Sequence, residues 1–209
     1  MQQFTFDDKC EKKNKKEKIE WIRIWCENTD SDLPRIALIG DSITEQTYEI
    51  VKNELQGIVS VDYLATSYSI LSNAYVGMVE KFIEDSSYAI VYYNYGLHAH
   101  DVSADEYEEA YSNMLKKLLS RSKVIIGLTT TVLDKNNLDK ESDRWSEVIL
   151  ERNYRAKRLA EEFSISVDDL YNISKKLGRE GKTADGVHFN DYGKEIIGKS
   201  KVEAIKKIL

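Results

Sequence analysis

From Arg35 onward, short apolar runs alternate with amphipathic stretches, a pattern that few chain architectures can accommodate. The runs Arg35 to Ile39, Val59 to Leu64, Tyr88 to Asn94, Lys123 to Leu128 and Ile165 to Leu170 read as strands. Between them, Thr44 to Leu55, Ala74 to Glu84, Ala104 to Leu119 and Asp143 to Phe163 read as helices, and Tyr192 to Leu209 supplies a last one. In the fourth helix, Trp145, Val148, Ile149, Leu159, Ala160 and Phe163 recur at three- and four-residue steps, which gives it one apolar face. Short apolar strands separated by such helices imply a parallel sheet covered on both faces. The expected fold class is α/β, a three-layer α/β/α sandwich around a mostly five-stranded parallel sheet. The segment from Thr131 to Asp143 is polar, contains Asn136-Asn137 and interrupts the alternation, so it is expected to be a surface loop. The single proline, Pro34, stands just before the first strand, where its missing N–H costs least.

A chain of 209 residues can bury one substantial core, and one principal domain is expected over residues 34–209. Ahead of it, residues 1–33 form a separate segment in which Lys9, Lys12, Lys13, Lys15, Lys16 and Lys18 precede Trp21, Ile22, Ile24 and Trp25. Glu11, Glu17 and Glu20 are interspersed, so the segment reads as a solvated amphipathic helix docking its tryptophans on the domain. Contact with a membrane surface or a nucleic acid is the alternative. Hydrophobic residues make up 42% and charged ones 32%, a globular composition, and no apolar run approaches the ~18 residues of a spanning helix. A net charge of −6 gives no general attraction to nucleic acid. The start of the chain lacks a basic stretch followed by an apolar one, so a cytoplasmic address is expected, with Cys10 and Cys26 as free thiols.

Chemistry concentrates in two turns far apart in sequence. In Ile39-Gly40-Asp41-Ser42-Ile43-Thr44, Ser42 falls where a strand gives way to a helix N-terminus, whose unpaired N–H groups and partial positive charge favour negative charge developing nearby. Ser42 and Glu45 also fit a capping box, so a purely structural serine is the competing reading. In Asp185-Gly186-Val187-His188 an Asp-Gly turn lets the carboxylate fold back on the imidazole, which could then accept the Ser42 proton. Strand and loop order bring Ser42, Ser67, Asn94 and the Asp185–His188 loop to the carboxyl rim of the sheet, where ligands bind in open α/β folds.

Gly40-Asp41-Ser42, Asn94 within Tyr93-Asn94-Tyr95-Gly96, and Asp185-x-x-His188 resemble, in that order, the nucleophile, third and last blocks of the SGNH, or GDSL-type, hydrolase superfamily. The resemblance spans about residues 35 to 209 and implies a flavodoxin-like sheet and a serine ester hydrolase working through an acyl-enzyme. It implies Ser42 as nucleophile, His188 as proton shuttle, Asp185 as its orienter, and an oxyanion hole of the Ser42 N–H, the Asn94 side chain and a donor from the second block. That block, Leu64-Ala65-Thr66-Ser67-Tyr68-Ser69, lacks the family's usual glycine, so the Ser67 N–H is taken as donor with Ser69 as the other candidate. The implied substrate is a short acyl ester, favoured as acetyl, of a carbohydrate-type alcohol, with no cofactor. An O-acyltransferase using the same acyl-enzyme and a catalytically silent binding module on the same fold are the alternatives.

The remaining candidates have weaker chemical logic. His98, His100 and Asp101 look like the start of a metallohydrolase motif, but the chain has only three histidines and one belongs to the triad reading, so no metal is expected. The Asn-x-Gly-Leu-His run resembles that of some bacterial members of the same superfamily, which implies His98 in the substrate pocket, against packing of the block around Asn94. Thr130, at the strand end on the same rim with Thr129 and Thr131, is expected to line that pocket, against capping of the loop. Tyr92, Tyr93 and Tyr95 flank Asn94 and offer faces for sugar stacking, although strand alternation sends most of them elsewhere. Arg152-Asn153 reads as part of a solvated helix face. The oligomeric state is left open.

Overall fold

The computed structural model describes residues 19–99 and 102–209, so the lysine cluster lies outside the described residues. The elements in chain order are β1 (Ile22–Trp25), β2 (Arg35–Gly40), α1 (Ser42–Glu54), β3 (Ser60–Thr66), α2 (Asn73–Asp85), β4 (Tyr88–Asn94), α3 (Ala104–Leu119), β5 (Lys123–Gly127), β6 (Leu133–Asp134), β7 (Asn137–Glu141), α4 (Asp143–Phe163), β8 (Ser166–Asp168), α5 (Leu170–Leu177) and α6 (Asp191–Lys206). A 3-10 turn, Gly178–Gly181, joins the last two helices.

The principal sheet has the order β1-β3-β2-β4-β5-β8. Its five inner and right-hand strands are parallel, as the apolar runs predict, and β1 joins antiparallel at the edge beside β3. From β2 the chain moves one way to β3, then crosses back to β4 and continues to β5 and β8. Right-handed crossovers therefore put α1 on one face and α2, α3 and α4 on the other. α6 returns to pack on α1, while α3 packs on both α2 and α4, which completes three layers. The reversal of direction leaves a crevice at the carboxyl ends of β2 and β4, where Gly40 and Asn94 are register partners.

Three segments differ from expectation. One is Leu170–Leu177, a helix where the sequence predicts the end of a strand and then no regular element. Ile22–Trp25 is a strand rather than part of an amphipathic helix, paired from Ile22↔Thr66 to Trp25↔Tyr63. Its alternating β-branched residues suit a pleated edge, and β3 has backbone groups there that need partners. Trp25 stays 53% exposed, so this tryptophan does not dock on the domain. The polar stretch after Thr131 contains the β6–β7 hairpin in place of a plain loop, with Leu133↔Glu141 and Asp134↔Asn137 paired.

The core holds Ile36, Leu38, Ile39, Leu64, Ile90, Val91 and Ile125 from the sheet, together with most of the tyrosines near Asn94. Tyr92, Tyr93 and Tyr95 are buried, so they offer no face to a sugar. Their hydroxyls are used inside: Tyr92 donates to Asp168 Oδ2 at 2.6 Å, Tyr93 shares a 2.8 Å bond with Tyr75, and Tyr95 donates to the Tyr68 carbonyl.

Candidate active site

The site begins with a close approach of backbones at Gly40. A Cβ there would stand 2.2 Å from the Asn94 carbonyl oxygen and 2.2 Å from Thr44 Oγ1, so only glycine lets β2 turn into α1 while staying paired with β4. Asp41 then caps α1: its side chain accepts from the Ile43 N–H at 2.9 Å. The capping role that sequence offered to Ser42 is thus filled by its neighbour. Ser42 is the first residue of the helix, and its N–H is one of the four that a helix leaves without an internal acceptor.

Ser42 Oγ lies 3.0 Å from His188 Nε2, and His188 Nδ1 lies 2.6 Å from Asp185 Oδ2. The other Asp185 oxygen accepts from the Val187 N–H at 2.9 Å, the His188 N–H at 3.0 Å and the Thr183 hydroxyl at 2.7 Å. Partial burial opposes ionisation of this carboxyl. The bonds from the His188 ring, the Thr183 hydroxyl and the two amides outweigh it and hold the group well below the ordinary 3.8. An ionised Asp185 in that position fixes the imidazole with a proton on Nδ1, which turns the Nε2 lone pair toward Ser42.

The loop that carries Asp185 and His188 is a small closed unit. Lys182 and Phe189 form an antiparallel bridge, and Thr183 N–H donates to the His188 carbonyl at 2.9 Å. The hairpin docks on its tip, with the Leu133 N–H donating to the Gly186 carbonyl at 2.8 Å. Gly186 has φ +73, and a Cβ there would meet the Leu133 carbonyl oxygen at 2.3 Å, so glycine is required twice over.

The oxyanion donors expected from sequence fare differently. The Ser67 N–H donates to the Trp21 carbonyl at 3.2 Å, because the residue before β1 continues the antiparallel pairing past the end of β3. This removes Ser67 as a donor, and its hydroxyl is engaged too, accepting from the Trp21 N–H at 2.9 Å and donating to Glu20 Oε2 at 2.9 Å. The Ser69 N–H has no acceptor among the described residues, while its hydroxyl oxygen accepts from Leu71 at 3.2 Å. Asn94 is 3% exposed and spends one N–H on the Gly127 carbonyl at 3.0 Å. The same nitrogen has a longer contact of 3.4 Å with the Leu128 carbonyl, and the amide oxygen is buried with no partner among the described residues.

Thr130 is 1% exposed, with a hydroxyl sealed away from any partner among the described residues, so it packs the rim and does not line an open pocket. Its neighbours are tied down likewise, Thr129 by both amide atoms of Asn153 and Thr131 by the Ser174 hydroxyl. His98 is half-buried, its ring centroid 6.1 Å from that of Tyr95 and its carbonyl oxygen held by Arg152. His100 and Asp101 lie outside the described residues. Arg152 and Asn153 are buried, which overturns the solvated-face reading. The Arg152 guanidinium donates to the carbonyls of Gly96, His98 and Ala99 while stacking 4.1 Å over Tyr107. Sequence reasoning missed this clamp because an arginine on an amphipathic helix carries no mark of burial.

A surface cleft of about 800 Å³ lined by Tyr88, Leu119, Arg121 and Lys123 lies at the amino ends of β4 and β5, away from Ser42. No helix among the described residues is long and apolar enough to cross a membrane.

No protein-family model and no curated protein matches the chain. Solved structures do. A lipolytic protein of the G-D-S-L family from Veillonella parvula aligns with TM-score 0.67 and 19% identity over 83% of this chain and 98% of that one. A lipase/acylhydrolase from Enterococcus faecalis gives 0.68 and 20% over 84% and 96%. An acetylxylan esterase from Geobacillus stearothermophilus gives 0.69 and 16% over 82% and 94%. At such identities the likeness is one of backbone architecture, and the chain adopts the fold of the GDSL-type, or SGNH, hydrolases.

Proposed function

We propose that the protein is a serine ester hydrolase acting through an acyl-enzyme, with Ser42 as nucleophile, His188 as proton shuttle and Asp185 as its orienter. The observation that carries the reading is the unbroken pair of contacts from Ser42 Oγ to His188 Nε2 at 3.0 Å and from His188 Nδ1 to Asp185 Oδ2 at 2.6 Å. His188 takes the Ser42 proton as Oγ attacks the ester carbonyl, then gives it to the departing alcohol. Water enters by the same route and releases the acid. Asp185, held ionised, stabilises the imidazolium that forms between these steps.

Charge on the tetrahedral oxygen falls to the Ser42 N–H at the start of α1, aided by the helix dipole. The side-chain amide of Asn94 joins it, and Ser69 takes over the backbone role expected of Ser67. The favoured substrate class is a short acyl ester, acetyl first, of a carbohydrate-type alcohol, which the acetylxylan esterase likeness supports.

The test is hydrolysis of p-nitrophenyl acetate and of acetylated xylooligosaccharides by wild type and Ser42→Ala. Wild-type turnover with loss of at least about 10³-fold in the variant is expected. Equal rates in the two proteins would remove Ser42 from the chemistry. Transfer of acetyl to added sugar in preference to water would move the protein to the acyltransferases.

A further inference from the structure

The triad hangs on an exposed loop: the Asp185 and His188 side chains are 49% and 34% exposed. A catalytic group held to within about 0.5 Å needs support from locked neighbours, and ordinary turn bonds at the surface give little of it. The same loop contains a lysine that does not reach solvent. Lys182 is 5% exposed, and its Nζ donates to the Val187 carbonyl at 2.7 Å and to the Thr131 carbonyl at 2.8 Å. Nζ also stands 3.7 Å from the centroid of the Phe189 ring, itself fully buried. Val187 and Phe189 are the two residues flanking His188, and Thr131 belongs to the segment leaving β5.

Among the described residues no carboxylate lies within ion-pair distance of this amine. Burial pushes the Lys182 pKa down to about 7, with the field of Asp185 opposing that shift, so retaining an amine here is expensive. A methionine would fill the same volume without that cost. The amine offers what methionine cannot, N–H donors aimed at both the loop and the rim.

We propose that Lys182 is the positioning residue of the triad, its amine holding the Val187 carbonyl on one side of His188 and the Phe189 ring on the other and tying both to the segment that leaves β5, so that Nε2 meets Ser42. The inference rests on the serine hydrolase reading above. It assigns Lys182 no contact with substrate and no proton transfer.

The experiment compares wild type, Lys182→Met and Lys182→Ala. The serines that react with a fluorophosphonate are counted first, and p-nitrophenyl acetate turnover is then measured per reactive serine. Lys182→Met is expected to keep full labelling stoichiometry and KM within about 2-fold while kcat per reactive serine falls about 10- to 100-fold, the effect of a misplaced base. Propylammonium, the fragment deleted in Lys182→Ala, is expected to restore part of that variant's kcat. Wild-type kcat per reactive serine in Lys182→Met would overturn the proposal, and so would a loss confined to the number of reactive serines, since packing alone explains that. A wild-type protein with no reactive serine would instead overturn the hydrolase reading itself.

Discussion

Asn94 shows how one side chain can be asked to do two things. Its bond to the Gly127 carbonyl joins β4 to β5, and under the proposed function the same amide also donates to the oxyanion. Asn94→Ala is therefore expected to lower kcat about 10²- to 10³-fold with little change in KM, because a bond to the oxyanion strengthens mainly in the transition state. It should also lower the unfolding free energy measured in urea by the roughly 1 kcal/mol of a lost buried hydrogen bond. A stability loss with unchanged kcat would confine Asn94 to joining strands. The place of Ser42 where strand gives way to helix, and the contact of Asp185 with His188, were legible in the sequence because each depends on local chain geometry. Lys182 and Arg152 were not, because a charged residue reads as solvated until the backbone carbonyls that hold it are in place. Ser67 misled for a related reason: its N–H was taken by a carbonyl 46 residues away, which no local pattern records.

Among the elements, the parallel strands and the helices between them follow from apolar periodicity, and Ala104–Leu119 and Asp143–Phe163 have the limits that their patterns predict. The capping box of α3, with Ser103 and Glu106 bonding each other's backbone, shows how sharply such signals start a helix. What periodicity missed were β1, the β6–β7 hairpin and the eight-residue α5, all short pieces. The hairpin matters to the site because Leu133 and Gly186 are in direct backbone contact. Gly186→Ala must both abandon a left-handed φ and push the Leu133 carbonyl away, so a loss of about 1 to 3 kcal/mol in stability is expected. Activity should fall with it, since Asp185 and His188 flank the displaced residue. Chemical denaturation beside turnover of an activated acetate ester checks both. An unchanged midpoint would mean that the hairpin does not restrain the loop.

At the scale of the whole molecule, the packing of α6 on α1 buries a lysine beneath the helix that begins with Ser42. Lys201 is fully enclosed; its Nζ donates to Thr47 Oγ1 at 3.0 Å and lies 5.3 Å from the centre of the Tyr92 ring. Burial pushes its pKa from 10.5 down to about 8, against the opposing fields of Asp41 and Asp168. In the unfolded chain the same amine keeps its proton up to about 10.5. Between pH 8 and 10.5 the unfolded state thus binds more protons than the folded one, and this residue's contribution to stability rises with pH. Below pH 8 the full penalty of burying the cation applies, about 3 kcal/mol for a shift of this size. Lys201→Met should relieve it at the loss of one hydrogen bond to Thr47, raising stability at pH 7 by about 1 to 3 kcal/mol. That advantage should shrink steadily from pH 8 to 9.5, because only wild type sheds the buried proton there. Tyrosine and other lysine titrations are common to both proteins and cancel in the difference. Urea unfolding of the pair at several pH values measures the effect, and a difference that is flat with pH would mean that Lys201 does not lose its proton on being buried.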